Sequence, residues 1–277
     1  MPKEDKSLPN HFDLRKWGKP IITQPAKQPK HVTIIMPYYD NPEMLSNQLD
    51  TIACYGRGYS DDDYILPFIE YIVVDDCSPK YPAEDVFKKQ KSFLAAQRLD
   101  YRLYRTSVDV RWNWLFCRNL GAQESKYKWI VMTDIDHYIP KDTMKNLVYH
   151  EHCNKSAYRF SRKDYPELTP YKPHPNSWFM SRSLFLDKVG GYDERFSGYY
   201  GSDGEFRDRV KTKTKETYLL YDHLSRVPRE IVPDASTTTY ERKAEQDHLN
   251  IPRIRAEIEA SQDKTPKRLT FPWQRIL

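Results

Sequence analysis

The chain has 277 residues, a hydrophobic content of 39%, a charged content of 30% and a formal net charge of +5. This length allows one large domain with a sizeable core, and the small positive charge permits a nucleotide or a polyanionic partner without requiring either. No apolar run approaches the roughly 20 residues of a membrane span, and the first residues do not resemble a signal peptide. The four cysteines lack zinc-like spacing, so we expect reduced thiols and a cytoplasmic protein.

The N-terminal region combines a proline-rich segment with a strand and a helix. Five prolines within 1–30 predict an extended arm. Residues 31–37 are typical of a buried strand ending at Pro37. A helix is then predicted to begin at Asn41, because an asparagine cap precedes proline and glutamate, and to stop at Gly56. Strand, tight loop and helix in this order begin a nucleotide-binding α/β unit.

Strands and helices continue to alternate as far as Pro140. Further strands are predicted over 70–74, 101–104 and 129–132, and helices over 82–94 and 111–123. Alternation of this kind predicts an α/β fold with a mostly parallel central sheet flanked by helices. Ligands of such sheets bind beyond the carboxyl ends of the strands.

Two carboxylates, Asp134 and Asp136, follow the buried strand at 129–132. A buried strand that runs into acids is costly unless the charges meet water, a cation or hydrogen-bond donors. Mg²⁺ and Mn²⁺ take carboxylate oxygens together with the phosphates of a substrate. The pair therefore favours a metal–diphosphate site, and the alternative is an ordinary strand end with solvated acids.

Shorter elements follow Pro140. A helix is predicted over 143–150, strands over 157–160, 177–181 and 216–221, a loop with four prolines over 164–175, and a short helix over 184–189 that Ser183 could cap. Residues 236–277 are predicted to form a C-terminal helical tail, which Pro252 breaks or kinks.

Six short motifs resemble, in order, those of the inverting GT-A glycosyltransferases of family 2. They are Pro37-Tyr-Tyr-Asp40, Asp75-Asp-Cys-Ser78, Arg118-Asn-Leu-Gly121, Asp134-Ile-Asp136, Gly190-Gly-Tyr-Asp-Glu194 and Tyr200-Gly-Ser-Asp203. Each motif is weak alone, but six in order over about 32–225 are specific. The resemblance implies a GT-A (nucleotide-diphospho-sugar transferase) fold, with the catalytic domain over 31–235.

The resemblance also implies an inverting hexosyltransferase that uses a nucleoside diphosphate sugar, with UDP favoured as the nucleotide. Asp76 would accept a hydrogen bond from the base, flanked by Pro37, Tyr38 and Asp40. Asp40 replaces the asparagine of the family, which changes the donor and acceptor pattern at the base. Arg118 would contact the nucleotide or its diphosphate, and a salt bridge to a strand-end acid is the alternative.

The metal implied by the resemblance is Mn²⁺ or Mg²⁺. Asp136 would coordinate it directly, while Asp134 would bind the ribose or a metal-bound water. The family often supplies a histidine ligand after the last strand of the sheet. His223 is the nearest match and His248 a weaker one, and either could instead be structural. His137, next to the motif, could simply cap its strand.

Three residues are implied on the acceptor side. Asp203 would be the general base that takes a proton from the acceptor hydroxyl, although an acid in a first helical turn also stabilises the helix. Ser202 stands where the family has glutamate and would affect acceptor positioning. Trp178 could stack on a sugar or be buried in the core.

The acceptor itself is open: a glycan, a protein side chain or a modified nucleic acid. Two other functions are compatible with the fold class. A catalytically silent sugar- or nucleic-acid-binding module is disfavoured by the intact acids, and a nucleotidyltransferase by the absence of a glycine-rich phosphate loop with a following lysine.

Overall fold

The computed structural model describes residues 19–21, 23–56, 64–164, 176–199, 201–215, 217–228, 230–233 and 244–277. Most of the predicted N-terminal arm (1–18), most of the proline-rich loop (165–175) and Tyr200 lie outside these ranges. The strands within them are β1 (Lys19–Ile21), β2 (Val32–Tyr38), β3 (Ile69–Asp75), β4 (Asp100–Thr106), β5 (Trp129–Met132), β6 (His137–Tyr138), β7 (Ala157–Asp164), β8 (Trp178–Ser181), β9 (Thr217–Arg226) and β10 (Trp273–Arg275). The α-helices are α1 (Pro42–Ala53), α2 (Ala83–Gln97), α3 (Trp114–Glu124), α4 (Lys141–Tyr149), α5 (Asp203–Lys213) and α6 (Ala244–Ala260).

The strands form one sheet in the order β1-β9-β7-β8-β5-β2-β3-β4-β10, with β6 paired to β9. At its centre β5, β2, β3 and β4 are parallel. On one side β8 runs antiparallel to β5 and β7, while β9 is parallel to β7. The predicted α/β sheet flanked by helices is therefore confirmed, and its parallel centre is bordered by antiparallel strands.

Two apolar cores lie on opposite faces of the sheet. One packs α1, α2 and α4 against the sheet, for example through Leu49, Phe87 and Leu147. The other contains Leu115 of α3 and Phe206 of α5. Strands of this kind are buried on both faces, which explains the continuous apolar runs in the sequence. None of the helices in the described ranges is long and apolar enough to cross a membrane.

Local signals placed several boundaries correctly and missed others. The Asn41 side chain accepts a hydrogen bond from the backbone N–H of Met44 at 3.1 Å, as a helix cap should. Pro37 does not end its strand, because β2 continues to Tyr38 and Pro37 pairs with Val74. Ser183 makes no capping hydrogen bond, and the helix at Leu184–Val189, a π-helix, is instead capped by the hydroxyl of Ser181.

The described parts of both terminal regions join the sheet. β1 pairs in parallel with β9 at one end. At the other end, the described part of the predicted helical tail, 244–277, is helical over Ala244–Ala260, and its β10 pairs antiparallel with β4. The sequence analysis predicted a helical tail and missed β10, because whether a segment forms an edge strand depends on a partner strand far away in sequence, here β4.

Candidate active site

The carboxyl ends of β2, β3 and β5 meet at one edge of the sheet. Tyr38, Asp75 and the Asp134–Asp136 loop are brought together there because these strands are parallel and in register. Gln48 of α1 supports the loop, since its amide donates hydrogen bonds to the carbonyls of Ile135 at 2.7 Å and His137 at 2.8 Å. The edge is therefore a built site and not a frayed strand end.

The two adjacent acids after β3 have different surroundings. The Asp75 carboxylate accepts hydrogen bonds from the backbone N–H groups of Ser78 at 2.8 Å and Ala83 at 2.9 Å, so it shapes the loop that leads into α2. Asp76 is 6% exposed, and burial together with the charge of Asp109 raises the pKa of its carboxyl well above the usual range. The partners of Asp76 lie outside this loop: the Thr106 hydroxyl donates to Asp76 Oδ1 at 3.5 Å, and hydrogen bonds from Asn113 oppose the pKa shift.

Tyr38 and Asp40 join two loops to each other. The buried Tyr38 hydroxyl donates to the carbonyl of Tyr81. Asp40 adopts a left-handed backbone (φ 43°), and its carboxylate accepts from the N–H groups of Lys80 at 3.1 Å and Tyr81 at 2.9 Å. Both bonds go to Oδ1 of Asp40, and an asparagine amide oxygen could accept the same two bonds. These contacts give the two residues a role in holding the loop, which the sequence did not predict.

Arg118 lies beneath the site rather than in it. Its side chain is fully buried and donates to Asp134 Oδ1 at 2.7 Å, to the carbonyl of Asn176 at 2.6 Å and to the Tyr192 hydroxyl at 3.0 Å. The guanidinium also stacks on Trp114, 4.7 Å from the ring centroid. The predicted contact with the nucleotide is therefore corrected to the alternative, a salt bridge that fixes a strand-end acid.

The helix that carries Arg118 packs very closely on the sheet. A Cβ on Gly121 would lie 2.3 Å from Ile35 Cγ2, so only glycine fits there. Asn119, which follows Arg118 in the same motif, forms two hydrogen bonds with the backbone of Tyr192, each of 2.8 Å. Its amide also donates to Glu194 Oε1. The third and fifth motifs of the sequence are thus parts of one buried network.

Three side chains at the end of β5 could hold a metal ion. Ligand atoms of Asp134, Asp136 and His137 all lie within 4.8 Å of one another, and His137 Nδ1 is 2.6 Å from Asp136 Oδ1. Burial raises the pKa of Asp134 above its usual range, while Arg118 opposes the shift and Asp136 adds to it. Two carboxylates and an imidazole are a suitable donor set for Mn²⁺.

The predicted ligand His223 does not join this group. The half-buried His223 lies in β9, where its carbonyl accepts from Thr143 at 2.9 Å, and burial lowers the pKa of its imidazole. It is not among the grouped ligands, so the histidine of the group is His137, which the sequence analysis regarded as a strand cap. The His248 side chain lies outside the described residues.

Asp203 reaches the same site from another direction. It is the first residue of α5 and half-buried, and its charge acts on Asp134, Arg118 and Arg159. Ser202, just before the helix, is 2% exposed and makes no capping hydrogen bond. The fold therefore brings the predicted base close to the predicted metal acids, although Asp203 comes 67 residues after Asp136 in the chain.

Trp178 belongs to the core. It is 1% exposed, lies in β8 and packs edge-on against Phe206, with the guanidinium of Arg159 5.2 Å from its ring centroid. This burial contradicts the predicted stacking on an acceptor sugar. An aromatic residue inside a four-residue strand could be assigned to either role from sequence, and only the packing of α5 over it decides.

Some residues of the site escaped the sequence analysis. Tyr192 supports Arg118, and Arg159 lies beside Asp203. Tyr39 donates 3.2 Å hydrogen bonds to the exposed Asp109, whose charge acts on Asp76. Tyr192 lies inside a quoted motif, which is a usable signal. Arg159 and Asp109 lie in segments without any motif.

Parallel strands that end in acids, a carboxylate–histidine group after β5 and helices on both faces define a GT-A fold. The model of glycosyl transferase family 2 matches residues 33–204, more than half of the chain, and the chain belongs to that family. No curated protein sequence matches the chain significantly.

Solved structures share the fold at low sequence identity. TarS 1–349 of S. aureus in complex with UDP-GlcNAc is 14% identical, with a TM-score of 0.58 over 84% of this chain and 68% of that one. The mannosyltransferase PcManGT from Pyrobaculum calidifontis, in complex with GDP-Man and Mn²⁺, is 18% identical, with a TM-score of 0.60 over 87% and 69%. The chain spans only 44% of the longer TarS structure.

Proposed function

We propose that the protein is a metal-dependent, inverting glycosyltransferase that moves a hexose from a nucleoside diphosphate sugar to a hydroxyl group. The observation that carries this proposal is the convergence of Asp134, Asp136 and His137 with Asp203 at the carboxyl edge of a parallel sheet. Ligands of open α/β sheets bind at such an edge. Family membership is consistent with the same reaction.

The metal group would hold Mn²⁺ or Mg²⁺. Asp136 and His137 would be direct ligands, and Asp134, fixed by Arg118, would complete the group or bind a metal-bound water. A bound cation would stabilise negative charge on the departing nucleoside diphosphate. The part played by Arg118 is to hold the Asp134 carboxylate ionised and in one orientation, since a buried acid otherwise tends towards its neutral form.

Asp203 would act as the general base. In an inverting transfer the acceptor hydroxyl attacks the anomeric carbon from the face opposite the leaving group, so the base and the metal must lie on opposite sides of the sugar. Asp203 comes from α5, whereas the metal acids follow β5. Its carboxylate would take the hydroxyl proton as the new glycosidic bond forms.

The donor base would lie against Asp76. Its buried carboxyl could pair with the imide N–H of uracil, and UDP is the nucleotide we favour. The structural neighbours bind a uridine donor in one case and a guanosine donor in the other, so the choice between bases needs an experiment. The acceptor would be a hydroxyl of a glycan, a protein or a modified nucleic acid.

A thermal-shift panel with UDP, GDP, CDP and ADP, each with Mn²⁺ or with EDTA, tests the proposal. A ligand at a hundred times its Kd stabilises the folded state by about 2.7 kcal/mol. We expect UDP with Mn²⁺ to raise the melting temperature and EDTA to remove the effect. The absence of a shift with every nucleotide, together with no release of nucleotide from sugar donors, would instead favour a catalytically silent module.

A further inference from the structure

Two arginines converge on the first turn of α5, next to the proposed base. A Cβ on Gly204 would lie 3.6 Å from Arg207 Nη2 and 3.8 Å from Arg255 Nη2, the latter coming from α6. Because Gly204 directly follows Asp203, both guanidiniums lie beside the point where an acceptor hydroxyl would lose its proton.

These guanidiniums are poorly compensated. Among the described residues each has only a long ion pair with the exposed Asp208, at 3.9 Å from Arg207 and 3.8 Å from Arg255. Both distances exceed that of a hydrogen bond, and exposed ion pairs of this kind contribute little. A guanidinium has five N–H donors suited to planar or tetrahedral oxyanions, and no hydrogen bond from either guanidinium to another described residue occupies them.

Two buried groups accompany these arginines: the cationic Arg159 and the neutral hydroxyl of Ser202. Arg159 is 1% exposed and close enough to Arg207 and Asp203 for its charge to act on both. Burial and the charge of Arg207 lower the pKa of Arg159 to about 9, which still leaves it positive at neutral pH. The Ser202 hydroxyl, at the start of the helix, is buried without a hydrogen-bond partner among the described residues.

We propose that the cationic turn, defined as Ser202, Arg207 and Arg255 above the buried Arg159, binds an anionic group of the acceptor: a phosphate, sulfate or carboxylate close to the reacting hydroxyl. The inference rests on the proposed function, which places Asp203 on the acceptor side. The leaving diphosphate belongs with the metal acids on the opposite side of the sugar. Arginine pairs and a helix N-terminus are together suited to an oxyanion.

Binding can be tested without catalysis. Isothermal titration calorimetry in EDTA, with tripolyphosphate, a sulfated disaccharide and a galacturonate disaccharide as separate probes, would measure affinity for each anion. We expect at least one probe to bind the wild type and the double variant R207Q/R255Q to bind it at least about tenfold more weakly. The matched control R253Q removes one positive charge from the same α6 helix, at a residue paired with Glu257, and should bind like the wild type.

The outcomes separate this inference from the proposed function. Equal weakening in R253Q, or no binding of any probe to the wild type, would overturn the acceptor-side assignment. So would displacement of the probe by UDP with Mn²⁺ in a parallel titration without EDTA. Melting temperatures and circular dichroism of the variants show whether they fold. Failure of the nucleotide panel would overturn the proposed function, while the probe titrations would still report whether the cationic turn binds anions.

Discussion

The two halves of the molecule are built in different ways. In the donor half, β2 to β5, the site loops are fixed by contacts within one α/β unit or between neighbouring units, such as Asp75 with Ser78 and Ala83. In the acceptor half, β7 to β9 with α5, the key segments are fixed by partners far away in sequence. Glu194, for example, accepts from the backbone N–H groups of Leu269 at 2.8 Å and Thr270 at 2.7 Å.

The difference indicates which half can vary independently. Parallel neighbours and short loops build the proposed nucleotide site from a limited stretch of chain, whereas the proposed acceptor side requires the C-terminal segment to be in place. Arg118 and Asn119 connect the halves, because one fixes Asp134 and the other fixes Tyr192 and Glu194. Substitutions on each side of this connection should therefore have separable effects.

The largest expected effect is a loss of kcat without a loss of nucleotide binding. Asp203→Asn should lower kcat by about a thousandfold, since loss of a general base costs roughly 10²- to 10⁴-fold. Nucleotide binding in the donor half should be almost unchanged. Nucleotide release from the donor in the presence of acceptor measures the first quantity, and a Mn²⁺-dependent thermal shift the second. The control is Asp187→Asn, on the exposed side of the π-helix. An equal loss of sugar transfer and of nucleotide binding in D203N would exclude Asp203 as the base.

Breaking the connection should destabilise both halves. Arg118→Met leaves the Asp134 carboxylate without its buried partner, and we expect the free energy of unfolding to fall by about 3 kcal/mol. Urea denaturation measures this change. Arg253→Met, which removes an exposed ion pair, should cost less than about 1 kcal/mol. Similar costs for the two variants would refute the buried role of Arg118.

A substitution at the metal group should affect the donor half alone. Asp136→Ala is expected to weaken Mn²⁺-dependent nucleotide binding by about a hundredfold, equivalent to about 2.7 kcal/mol. The measurement is the thermal shift with UDP and Mn²⁺, compared with the shift in EDTA. His137→Ala should behave in the same way and His223→Ala should not, so a reversed result for the two histidines would restore His223 as the ligand.

The smallest effect should be confined to the acceptor half. Glu194→Ala removes the acceptor for Asn119, Leu269 and Thr270, and we expect a loss of about 2 kcal/mol because these donors become unsatisfied. Hydrogen exchange should increase over 269–277, while UDP with Mn²⁺ should still shift the melting temperature. Faster exchange in β2 and β3 as well would show that the halves are not separable.

Much of the donor half could be predicted from sequence because its signals are local. The run at Trp129–Met132 gave the limits of β5 without error, and the cap at Asn41 predicted the start of α1. Residues at the carboxyl ends of parallel strands share one edge of the sheet, so the predicted parallel sheet was enough to expect Tyr38, Asp76 and Asp134 at the same edge.

The misassigned residues share a physical cause. Arg118, Trp178 and His223 are residue types suited to binding a ligand, but burial and partners determine whether each side chain is available. Arg118 is covered by Trp114, one turn earlier in α3, and by Tyr192, while Trp178 is covered by Phe206. Tyr192 and Phe206 come from segments that are distant in sequence. No periodicity or spacing within one segment encodes such contacts.

The sequence by itself determined the α/β architecture, the family motifs and the acids at the strand ends, because these depend on hydrophobic patterning and on short spacings. Only the tertiary structure decided that His137 joins the metal acids, that Arg118 supports them from below, and that Arg207 and Arg255 meet beside Asp203. The physical reason is that each of these depends on the distance between side chains whose positions are set by the packing of the whole sheet.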